Sequence, residues 1–146
     1  MMPGHDSGPD PGQRRPTARA QSGSTNGIAM QNRYLVVFCS CPDRTVADRV
    51  SQVMVEERLA ACVSQVSGLT SVYWWEGKVC RDEEVLLLIK TTGQRLVNLT
   101  ARIEALHPYE VPEIVAISVE GGSERYLAWL GQTVATGGPA PESGVS

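Results

Sequence analysis

Several things are scarce in this chain of 146 residues, and each scarcity narrows the choice of function. Only two histidines occur, His5 and His107, so any metal or proton chemistry in the folded part borders the second of them. The apolar runs, Val85 to Ile89 among them, have the length of a strand and are far short of a membrane-spanning helix. No charge of one sign dominates. Acidic and basic residues are interspersed around a net charge of −3, so the chain lacks the electrostatic footprint of a nucleic-acid binder. There is no glycine-rich phosphate loop and no zinc-finger spacing. No serine, cysteine or lysine is followed by the base and orienting group of a hydrolase. Neither nucleic acid nor membrane is an expected partner, and no enzymatic reaction is indicated.

The ends of the chain have few large apolar residues. Residues 1–31 are rich in Gly, Pro, Ser, Gln and Arg, and residues 135–146 read the same way. Such segments bury too little apolar surface to offset the entropy of ordering, so both are expected to be disordered tails. One domain is expected between them, residues 32–134. The opening residues carry no apolar run of a secretory signal, which points away from export. In that setting Cys39, Cys41, Cys62 and Cys80 are expected as thiols rather than a disulfide framework.

What is present reads as alternating strands and helices. Tyr34 to Cys41 is a continuous β-prone run, expected as a central strand, with Leu35, Val37, Cys39 and Cys41 on one face. Asp43 or Thr45 caps a helix whose apolar positions Val46, Val50, Val53, Met54, Leu59 and Ala60 carry it toward Ala61. Cys62 to Trp75 is a long β segment with a bulge expected at Gly68, and Glu76-Gly77 reads as a hairpin into a strand reaching Thr91. Across that hairpin Cys62 and Cys80 are candidates for near neighbours. Leu96, Leu99, Ile103 and Leu106 give a second helix from about Gly93 to His107, ended by Pro108. Ile114 to Val119 is a fourth strand. Ser123 caps a short last helix packed through Tyr126, Leu127, Trp129 and Leu130. The order βαββαβ predicts an α+β, ferredoxin-like antiparallel sheet with two helices on one face, plus the C-terminal helix.

The stretch His107-Pro-Tyr-Glu-Val-Pro-Glu113 joins the second helix to the fourth strand. Pro108 and Pro112 stiffen it, fixing an imidazole, a phenol and two carboxylates at set spacings. Cys39 and His107 are the first metal candidates, with Cys41 as an auxiliary on the same strand face. Thiolate and imidazole suit copper by softness, although Cys39 and Cys41 also fit as small buried hydrophobes.

Five ordered motifs then carry a resemblance. They are Val36-Val-Phe-Cys-Ser-Cys-Pro-Asp43, Glu57-Arg-Leu-Ala-Ala-Cys-Val63, Ser71-Val-Tyr-Trp-Trp-Glu-Gly-Lys78, Glu84 through Thr92, and His107 to Glu113, with Tyr126-Leu-Ala-Trp129 beyond them. Together they resemble the CutA family of divalent-cation tolerance proteins. The resemblance implies a homotrimer like that of the PII signalling proteins, a cytoplasmic setting, and tolerance of copper and other divalent metals without an established catalytic reaction. In enterobacterial members a cysteine at the position of Cys39 and two adjacent histidines are associated with copper. Here the second histidine is His107 and the first position is Leu106, which implies weak binding. Trp75, Glu84, Lys90, Tyr109 and Glu113 match residues that flank the inter-subunit cleft of relatives. They imply an alternative: a PII-like signalling trimer that binds a small ligand there.

Overall fold

The structure, a computed structural model, describes residues 33–135. The expected tails, apart from Ala135, lie outside the described residues. Four strands and three α-helices follow one another as β1 (Tyr34–Cys41), α1 (Arg44–Glu56), β2 (Cys62–Trp75), β3 (Lys78–Thr92), α2 (Leu96–Leu106), β4 (Val115–Ser118) and α3 (Glu124–Thr133). The sheet order is β2-β3-β1-β4, with every neighbouring pair antiparallel. This is the α+β ferredoxin-like arrangement.

The core lies between one face of this sheet and helices α1 and α2. Alternation along β1 turns Leu35, Val37, Cys39 and Cys41 to one side, and all four are buried. Three of them, Val37, Cys39 and Cys41, meet Leu87 and Ile89 of β3, Val50 and Met54 of α1, and Leu99 and Ile103 of α2. The other face of β1, with Val36 and Phe38, is only half-buried. Within one chain the central strand is therefore covered fully on one side and only in part on the other, where Ser40 is buried and Val36 and Phe38 are not. Leu130 and Val134, in and just after α3, pack with Ala61 and Tyr34 as a smaller second cluster. Tyr126 and Trp129, expected on the packing face of α3, stay about half exposed.

Caps fix several element ends. The Asp43 carboxylate accepts from the Val46 N–H at 2.9 Å and starts α1. Ser123 Oγ accepts from the Tyr126 N–H at 3.3 Å and starts α3. The end of α1 differs from the expected run to Ala61. Arg58 adopts a left-handed φ of 57°, its N–H reaches the Val55 carbonyl, and the Leu59 N–H reaches the Met54 carbonyl. This double closure is a helix terminator that usually takes glycine at the left-handed position. Leu59 and Ala60 are buried as expected, but from the loop behind it. The second helix likewise opens with a 3-10 turn, Gly93–Arg95, before α2 proper.

Beyond the reach of β1, the second and third strands continue as a two-stranded ribbon. β1 pairs with β3 only between Val85 and Thr92, whereas β2 and β3 pair as far as Trp75 and Lys78. The expected bulge falls between Val66 and Leu69, where Gly68 takes a φ of 81°. At the tip both Glu76 and Gly77 have positive φ, the geometry that matches a tight two-residue turn to strand twist. This register separates Cys62 from Cys80. Cys62 lies opposite Lys90 and Cys80 opposite Tyr73, so the two thiols sit toward opposite ends of the ribbon and are not neighbours.

Candidate metal centre

Three side chains that arrive from two elements converge at the end of β1. Residues two apart on a strand share a face, so Cys39 and Cys41 project together into the core. His107 is the residue that ends α2. Its N–H still closes the helix on the Ile103 carbonyl at 2.8 Å, but its own backbone is extended, with ψ of 137°. Pro108 requires that turn by disfavouring helical geometry in the residue before it. The turn lays the imidazole across the end of β1. Here β4 has stopped pairing, since its ladder covers only Leu35 to Phe38. The imidazole Nε2 meets the Ser40 carbonyl at 2.9 Å.

Among the described residues, Cys39, Cys41 and His107 form the group whose potential ligand atoms all lie within 4.8 Å of one another, and all three side chains are buried. Two ligands bound to one metal at about 2.3 Å can stand no more than about 4.6 Å apart, so a small closure completes the set. Two sulfurs and an imidazole nitrogen are soft to intermediate donors. They fit copper, above all Cu(I), and not an oxygen-seeking cation such as magnesium or calcium.

The two thiols are unequal. The neighbouring Cys39 pulls Cys41 down to about 6, with His107 adding to the effect against the cost of burial. The same contact, with burial, raises Cys39 far above its ordinary value. Of the two, Cys41 is the thiol whose ionisation is favoured, and Cys39 the one whose ionisation is opposed. Glu84 and Glu113 lie close enough to oppose ionisation, at Cys41 and Cys39 respectively.

The state of His107 follows from its partners. The backbone N–H of Tyr109 can only donate, and it points at Nδ1 at 3.2 Å. Nδ1 is therefore the unprotonated nitrogen, and Nε2 carries the hydrogen that goes to Ser40. The Tyr109 ring stacks obliquely on the imidazole, with centroids 4.7 Å apart. Its phenol makes a long contact of 3.5 Å to Glu84.

The five cleft candidates fall into separate places within one chain. The Tyr109 phenol reaches Glu84, and Glu84 and Glu113 are near enough to act electrostatically on Cys41 and Cys39. Lys90 lies on the other face of the sheet, where its ammonium donates to Ser64 Oγ and stands 3.9 Å from Cys62 Sγ. Trp75 is near the ribbon tip, opposite Lys78. Leu106, at the position where enterobacterial relatives carry a histidine, packs on the core cluster that contains Cys39 and Cys41. Sequence reasoning missed the Ser40 carbonyl as the anchor of the imidazole, and it ranked Cys41 below Cys39. The signal for both is where β4 stops pairing with β1, and the pattern of residue types does not carry that register.

The model for the family described as CutA1 divalent ion tolerance protein matches residues 35–133. The chain belongs to that family. The divalent-cation tolerance protein CutA of Thermus thermophilus is 52% identical over 95 residues, covering 65% of this chain and 92% of the relative. A solved structure of that organism's protein matches with a TM-score of 0.69 at 48% identity, covering 70% of this chain and 99% of that one. The chloroplastic protein CutA 1 of Oryza sativa is 43% identical over 114 residues, 78% of this chain and 62% of the relative. A solved structure from Archaeoglobus fulgidus, described as a periplasmic divalent cation tolerance protein, matches with a TM-score of 0.68 at 30% identity, covering 70% and 99%. Relatives are thus named for more than one compartment. Among the described residues of this chain no helix is long and apolar enough to cross a membrane.

Proposed function

We propose that this chain serves in divalent-cation tolerance as a cytoplasmic homotrimer that binds copper weakly through Cys39, Cys41 and His107. The observation that carries the reading is the convergence of two thiols and an imidazole, all buried, at near-ligand spacing. The membership of the chain in a metal-tolerance family supports the same direction. Weak binding follows from the donor count and from the imidazole, whose two nitrogens are both already engaged. Copper is favoured over hard cations such as magnesium and calcium because two of the three donors are sulfur. The four cysteines are all free thiols, in keeping with a reducing compartment.

The trimer is supported by apolar surface that one chain leaves uncovered. Val36, Phe38, Leu86 and Leu88 line the helix-free face of the sheet, with Val115 and Ile117 about half exposed on β4. The ribbon carries Val72, Trp74 and Val79, of which Trp74 is 71% exposed. Apolar residues on both the open sheet face and a projecting ribbon are what further copies of the chain can cover.

Native mass spectrometry of protein purified without chelators reads assembly and metal together. Three chains with up to one copper per chain are expected. A monomer at micromolar concentration removes the assembly. Equal copper loading in wild type and a Cys39→Ser variant removes the site.

A further inference from the structure

The imidazole in this cluster offers no free lone pair. Nδ1 accepts the Tyr109 N–H, and Nε2 carries the proton that Ser40 receives. A metal can therefore take His107 as a ligand in one of two ways. Coordination through Nδ1 replaces the Tyr109 N–H outright. Coordination through Nε2 requires its proton to move to Nδ1, which then presents an N–H to the N–H of Tyr109, and the two donors repel. Either way the same hydrogen bond breaks.

We propose that recruitment of His107 by a metal is coupled to release of the connector 107–113, with the Tyr109 backbone N–H acting as the latch. The inference rests on the Cys39–Cys41–His107 cluster being the metal site. The two sulfurs stand on one face of a central strand that pairs on both sides, so they are held in place independently of the connector. The imidazole joins only when the connector gives way. Tyr109 then moves, and with it the ring packed on the imidazole and the phenol directed at Glu84. Glu84 lies opposite Leu69, immediately after the bulge at which the ribbon leaves the sheet. Glu110 and Val111, exposed at the outer edge of the same connector, change position as well. Metal occupancy in the core is thereby expressed on the surface, at the connector and at the foot of the ribbon. A purely storage site needs no such link, whereas a site that reports metal does.

The test is nitrogen NMR on the full-length chain with labelled histidine, in a His5→Gln variant so that His107 alone is observed. Without metal, the spectrum is expected to show the tautomer protonated on Nε2. Cu(I), supplied anaerobically as its acetonitrile complex, is expected to shift the imidazole signals and move the Tyr109 amide proton to the position of one without that acceptor. Tyr109→Pro removes the latching N–H and should bind Cu(I) about fivefold tighter, which is the net worth of one ordinary hydrogen bond. Tyr109→Phe keeps the N–H and controls for the phenol. A metal-free imidazole protonated on Nδ1 overturns the latch, as does Cu(I) binding that leaves the Tyr109 amide unmoved. These readings stand even if Tyr109→Pro fails to fold. Failure of the wild type to bind Cu(I) overturns the site itself, and the coupling falls with it.

Discussion

Two thiol clusters sit on opposite faces of the same sheet, and they differ in what stands beside the sulfur. At the end of β1, Cys39 and Cys41 face a neutral imidazole in a buried setting. At the start of β2, the half-buried Cys62 faces the Lys90 ammonium, which also donates to Ser64. A neutral imidazole can become a ligand. An ammonium has no lone pair to give and repels any cation that approaches the sulfur. The contrast shows why counting cysteines says little about metal. If the β1 cluster binds metal, the charge and donor capacity of the neighbour are what set its thiols apart from Cys62.

The largest expected effect breaks this comparison directly. Cys41→Ser should lower Cu(I) affinity by at least ~10–100-fold, since losses of that size follow from removing an outer partner of a metal ligand alone. Cys62→Ser should leave the affinity within about twofold. Competition against a chromophoric Cu(I) chelator measures both. Equal losses in the two variants would place the metal outside the β1 cluster or spread it over both faces.

A second expected effect is on the stability of metal-free protein. Folded Cys41 loses its proton near pH 6, whereas an unfolded thiol keeps it to about 9. Between those values the unfolded chain holds the extra proton, so stability should rise with pH. Above about 9 the sign reverses. Cys39, raised in the folded state, stays protonated while both thiols of the unfolded chain ionise, and stability should fall. Thermal unfolding in chelator should thus climb from pH 6 to a maximum near pH 9. Cys41→Ala should flatten the rise. A midpoint that does not change from pH 6 to 9 would mean that Cys41 is an ordinary buried thiol.

The comparison also separates what could be read from the sequence from what could not. Element order, the Asp43 and Ser123 caps and the bulge at Gly68 were legible because each has a local chemical cause. The members of the Cys39–Cys41–His107 cluster were legible as types, a thiol pair on one strand face and a histidine before proline. The arrangement that gives them roles was not. It depends on register: where β4 stops pairing, which carbonyl is left for His107, and that Cys62 meets Lys90 instead of Cys80. The end of α1 escaped for another reason. Its left-handed closing residue is Arg58, and the usual glycine signal is missing there. Arg58 is anchored by its guanidinium on the Thr133 carbonyl at 3.2 Å, a partner 75 positions away in the chain. Tyr126 and Trp129 have helical spacing that suits a core, yet both stay about half exposed.

The smallest expected effect sharpens the comparison from its other side. Lys90→Met removes the ammonium and keeps a side chain of similar length. If the charge of the neighbour is what excludes metal from Cys62, this change should let the thiol bind Cu(I), with the new thioether as a second soft donor. The gain should be modest, because two sulfurs on a half-exposed strand edge have no third ligand fixed beside them. A Cys39→Ser, Cys41→Ser background isolates it. In that background wild-type Lys90 should give no chelator-resistant Cu(I), and Lys90→Met a weak single equivalent per chain. The fold should lose only about 1 kcal/mol, the ordinary worth of the hydrogen bond to Ser64, since the lysine is half exposed and its stem is replaced by an apolar one. If Cys62 stays silent after the charge is gone, geometry and not charge separates the two clusters. The buried end of β1 would then owe its metal chemistry to its shape, with the neutral imidazole secondary.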